Sequence, residues 1–94
     1  MIVKGKTKSG YNYQVDSRIK DDRRVVKLIV AMQSGEAMEQ LKALDQLEML
    51  ILGSEENIKK LEEIIESKND GFCPTDVYFA EIQEIIEALN AKNS

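Results

Sequence analysis

The chain has 94 residues, 43% of them apolar and 32% charged, with a formal net charge of −4. That length holds one modest core and not two domains, and the composition argues against a disordered chain. There is no apolar run of the length a membrane span needs, and overall acidity disfavours nonspecific nucleic-acid binding.

Charge is unevenly spread. Residues 1 to 28 carry eight Lys/Arg against three Asp, whereas the other 66 residues carry five basic and fourteen acidic side chains. Such a dipolar molecule suits head-to-tail contact with its own copies or a partner of mixed charge. The opening "MIVKGKTKSG" lacks the apolar stretch of a signal peptide, and one cysteine cannot form an internal disulfide; both point to a cytoplasmic setting.

In chain order, residues 1–15 read as a β-hairpin. "IVKGKTK" and "YNYQV" alternate with a period of two, and "KSG" supplies turn chemistry between them. Tyr11, Tyr13 and Val15 share one face, which needs a helix to cover it. Lys4, Lys6 and Lys8 suit the protection of an edge strand.

A first helix is expected over 21–33, opened by Asp21 and Asp22 and stopped near Gly35. Val25, Val26, Leu28, Ile29, Val30 and Met32 give it a wide apolar face, expected to be buried. The second helix, 36–52, is apolar around most of its circumference and ends at Gly53. A helix of that kind either fills the centre of a bundle or exposes a surface that another chain covers. On the second reading Met38, Leu41, Met49 and Leu52 are the candidate partner or self-association residues.

Ser54 is placed to cap a third helix, 54–68, whose stripe of Ile58, Leu61, Ile64 and Ile65 marks one buried side. "NDGFCP" then joins it to a fourth helix, 74–89, with Tyr78, Phe79, Ile82, Ile85, Ile86 and Leu89 inward. In that joint Gly71 supplies a positive φ, Phe72 is expected to drop into the core, and Pro74 sets the helix start. The tail "NAKNS" reads as frayed. The architecture expected is one mainly α (α+β) domain over 1–94, an N-terminal β-hairpin followed by a compact bundle of about four helices.

Chemistry is sparse. Without histidine the chain lacks Ser-His and Cys-His nucleophile pairs and the commonest transition-metal ligand. Cys73 lies near a helix N-terminus but has no partner base, and a structural role is the plainer reading. Glu62, Glu63 and Glu66, like Glu81, Glu84 and Glu87, read as solvated helix faces. "ESKNDGFCPTDV" fails as a calcium loop, because Lys68 and Val77 fall where ligands are required. The expectation is a protein that is not an enzyme and uses no cofactor and no metal.

The order of elements, carried by "KTKSGYNYQVDSRIKDDRRVVKLI", "LEMLILGSEENIKKLEEII" and "NDGFCPTDVYFAEIQEII", resembles the small tail assembly chaperones of long-tailed (siphovirus-type) phages and prophages of Gram-positive bacteria. A helix ending in an apolar run and Gly (Leu50 to Gly53) precedes a charged helix. An Asp-Gly-x-x-Pro joint (Asp70 to Pro74) then leads into an "EIxEI" helix (Glu81 to Ile85). The resemblance covers nearly the whole chain. It implies a non-enzymatic protein that keeps the helix-rich tape measure protein soluble and helps recruit tail tube subunits. Such proteins self-associate, act in the host bacterial cytoplasm, and are not retained in the mature virion. The family supplies no invariant functional residue to carry over. The alternative is a small prophage DNA-associated regulatory protein, with Arg18, Arg23 and Arg24 on phosphates. A small hydrolase using Cys73 is a third class.

Overall fold

A computed structural model describes residues 1–92. It contains strands β1 (Ile2–Lys6) and β2 (Asn12–Asp16), a 3-10 turn (Ser17–Asp21), and four helices. These are α1 (Arg23–Met32), α2 (Ala37–Leu52), α3 (Glu55–Lys68) and α4 (Thr75–Lys92). The expected hairpin followed by four helices is therefore the observed architecture.

The strands pair antiparallel, with Val3 opposite Val15 and Gly5 opposite Tyr13. Val3, Tyr11, Tyr13 and Val15 are buried, so the period-two pattern did fix the inward face. Gly5 makes room for its cross-strand partner: a Cβ there would overlap the Tyr13 ring. At the hairpin tip, Thr7 is buried and its hydroxyl accepts from the Tyr11 amide at 3.1 Å.

The first helix starts later than its two aspartates suggest. Asp21 belongs to the 3-10 turn, and Asp22 is the cap, accepting from the Arg24 amide at 2.8 Å. The apolar face of α1 is also narrower than expected. Val25 and Met32 are buried and Leu28 and Ile29 pack partly, but Val26 and Val30 are exposed. The reason is that α1 packs chiefly against one neighbour, α2, and a single helix covers only part of its circumference. Ser54 caps α3 as expected, accepting from the Asn57 amide at 3.2 Å. At the other end α4 continues through Asn90 and Ala91 to Lys92, where fraying was expected; Asn93 and Ser94 of that tail lie outside the described residues.

Helix interiors meet in one core. Leu47, Leu61, Ile65, Ile82, Ile85, Leu89 and Val25 are its fully buried members. The joint before α4 closes without an aromatic anchor. Asp70 and Gly71 both take left-handed φ values, 55° and 88°, and the Gly71 amide reaches back to the Glu66 carbonyl at 2.8 Å. The Asn69 side-chain amide donates to the Ile65 carbonyl at 2.8 Å. With its backbone groups satisfied this way, the joint leaves Phe72 72% exposed, correcting the expectation that it anchors the turn. Phe72→Ala is accordingly expected to change stability by no more than about 0.5 kcal/mol, the range of ordinary surface substitutions. Urea denaturation checks this, and a loss of several kcal/mol would show that the ring is an anchor after all.

Candidate binding groove

The second helix uses its apolar excess in three different ways. Ala43, Leu44, Leu47, Ile51 and Leu52 are buried in the domain. Leu52, at 5% exposure, offers no surface to another chain, which removes it from the candidate contact residues. Met38 is 63% exposed and Leu41 43%, one helical turn apart near the start of the helix. Met49, 40% exposed, lies about 12 Å beyond Leu41 at the standard helical rise. It lines a separate shallow depression with Arg24, Lys27, Leu28, Gln46 and Leu50. The four candidates therefore do not form one patch.

Leu41 opens onto the largest recess described, an open groove of about 730 Å³ where the end of α1, the start of α2 and the start of α4 converge. Met32, Ala37, Leu41 and Phe79 provide its apolar lining. Gln33, Gln40 and Gln83 surround these with uncharged polar groups, and Thr75 and Asp76 close the α4 end. Asp76 is the one charged residue in the lining. Phe79 was expected in the core; it is half-buried, packed against the core and also lining this groove. Gln40 is held in place by its side-chain amide, which donates to the Ser34 carbonyl in the α1–α2 loop.

Carboxylates read as solvated in the sequence take two structural roles here. Glu81 is 3% exposed: its Oε2 accepts from the Ser9 amide at 3.4 Å, and its Oε1 is buried without a partner. Glu84 accepts from the Lys8 amide with both oxygens, at 3.2 and 3.1 Å. Together they tie the hairpin tip to α4. The spacing could have revealed Glu81, which lies three residues after Tyr78 and four before Ile85, on the buried stripe. Glu48 likewise stands four residues from Leu44 and Leu52, and it accepts from the Tyr78 hydroxyl at 2.6 Å. Burial pushes the Glu48 carboxyl up from its ordinary range, partly offset by the Tyr78 hydrogen bond. Burial, reinforced by that same bond, raises the Tyr78 phenol strongly.

Cys73 is half-buried, and burial followed by the nearby Glu62 and Glu66 charges pushes its thiol up, opposite to an activated thiolate. No group of three or more potential ligands suited to a metal occurs among the described residues. Nor is any described helix long and apolar enough to cross a membrane. Two of the arginines considered for phosphate contact are engaged locally. Arg18 pairs with Asp16 at 2.7 Å and Arg24 with Asp22 at 2.9 Å. The Arg24 side-chain hydrogen bond holds the Asp22 carboxyl down at about 2. Compared with known proteins, the chain matches no family model, no curated protein and no solved structure.

Proposed function

We propose that this protein is a tail assembly chaperone of a long-tailed phage or prophage. It is a non-enzymatic binding protein that keeps the tape measure protein soluble and helps recruit tail tube subunits, acting in the host cytoplasm and leaving before the virion is complete. The observation that carries the reading is the open groove beside Leu41. An amphipathic helix is the natural ligand of an apolar groove bordered by two or more helices, and a tape measure protein is rich in such helices. Met38, exposed one helical turn from Leu41, gives the adjoining surface a side chain that adapts to helices of differing sequence. The uncharged glutamines around it impose little charge selection on the client.

Leu41→Glu places a carboxylate in the groove while leaving the core intact. Coexpressed with the tape measure protein encoded by the same genome, the parent is expected to hold that client in the soluble fraction. Leu41→Glu is expected to lose at least about tenfold in client affinity, the effect of removing one buried apolar contact and adding a charge. If the folded variant keeps the client soluble as well as the parent does, the groove is not the client site. Self-association is read separately, from solution mass by light scattering with Met49→Glu.

A further inference from the structure

The hairpin has a second interaction surface, independent of the groove. The Thr7 amide donates to the Tyr11 carbonyl at 2.9 Å and the Ser17 amide to the Met1 carbonyl at 2.8 Å. In the same register, Gly5 faces Tyr13 and Val3 faces Val15. The odd residues of β2 thus spend their N–H and C=O groups on β1, and an antiparallel ladder turns those of Asn12 and Gln14 the other way. No hydrogen bond to these four backbone groups is made within the described residues.

That free edge borders a cleft. A recess of about 360 Å³ touches every residue from Tyr11 to Val15. Successive strand residues point to opposite faces, so contact with all five means that it runs along the edge. Its far wall is Ile51, Leu52 and Asn57. A second recess, of about 540 Å³, shares Tyr11 and Asn12 and continues along Lys60, Glu63, Ile64 and Ser67 of α3. The two edges of the hairpin are guarded differently. β1 carries the exposed Lys4 and Lys6, whereas β2 carries Asn12 and Gln14 and no lysine.

We infer that the cleft between β2 and α3 accepts a single extended peptide segment of a partner protein, which adds to β2 as a third strand. Charge limits the occupant. The lining holds one lysine and one glutamate, and Lys60 is already 3.7 Å from Glu56, so an uncharged segment fits best. Strand addition draws affinity from main-chain hydrogen bonds and selectivity from alternate side-chain positions.

The test is selection of yeast-displayed random heptapeptides on the intact protein. Gln14→Pro removes one outward N–H without touching the β1–β2 ladder, and Glu63→Trp fills the cleft from α3. Uncharged, proline-free peptides are expected to be enriched, and each variant is expected to weaken their binding by about tenfold, the value of one good hydrogen bond. Amide exchange at Asn12 and Gln14 is expected to slow when peptide is bound. Should Gln14→Pro fail to fold, Glu63→Trp and the exchange measurement decide. The inference is overturned if no peptide is enriched. It is also overturned if the enriched peptides bind Glu63→Trp as tightly as the parent, or if they leave exchange at Asn12 and Gln14 unchanged. Client solubility through Leu41 is unaffected by either result.

Discussion

Leu52→Glu is expected to unfold the domain at room temperature, whereas Met38→Glu on the same helix is expected to fold normally. Leu52 is 5% exposed and Met38 63%, although both are apolar residues of one over-apolar helix. Truncating a buried leucine alone costs about 2–5 kcal/mol through lost transfer energy and the cavity left behind. A carboxylate at that place adds a desolvation cost, against a total stability of about 5–15 kcal/mol for a domain of this kind. Met38→Glu replaces an exposed side chain near the helix N-terminus, where a negative charge is favourable, and its effect should stay within about 0.5 kcal/mol. Urea denaturation of the two variants by circular dichroism makes the comparison. Equal midpoints would mean that α2 is not seated as described.

The second large effect is expected at Tyr78. Tyr78→Phe keeps the packing volume but leaves Glu48 half-buried without its 2.6 Å donor, at a cost of about 1–3 kcal/mol at pH 7. Its pH dependence has a definite sign. The Glu48 pKa is raised on folding, first by burial, so its contribution is fully present below the ordinary Glu value of about 4.3 and lost as pH rises through the folded value. Removing the hydroxyl takes away the interaction that opposes this rise. The variant should therefore be penalised more at pH 7 than at pH 4.

Above neutrality the same pair acts through Tyr78. Its phenol is raised on folding, so the stability that neutral Tyr78 confers is complete below about pH 10, the ordinary tyrosine value, and is lost above it. Tyr78→Phe should flatten the alkaline decline, leaving the smaller part due to Tyr11, which burial also raises. Denaturant midpoints from pH 4 to pH 11 test both arms. A penalty independent of pH would show that the hydroxyl contributes packing alone.

The buried and half-buried carboxylates show why a site is harder to read than a fold. Glu81 and Glu48 lie at helical spacing from apolar residues, yet glutamate is so often solvated that periodicity alone gives little reason to bury it. What buries them is a partner far away in sequence: the Ser9 amide lies 72 residues from Glu81, and Tyr78 lies 30 from Glu48. The groove has the same origin. Met32, Leu41 and Phe79 stand on three helices, and nothing in any one of them states that the three ends converge. Phe72 errs the other way. Its apolar ring suggested burial, but backbone and Asn69 hydrogen bonds closed the turn without it.

The hairpin, the four helices, the cap at Ser54 and the stop at Gly53 were legible in the sequence alone. These are local matters, settled by periodicity, side-chain caps and backbone freedom within a few residues. Tertiary packing settled which apolar residues of α2 are core and which are surface. It also turned Phe79 toward a groove and laid the unpaired edge of β2 along α3. Those outcomes depend on which faces meet across long stretches of chain, and packing selects among faces that local propensity leaves equivalent.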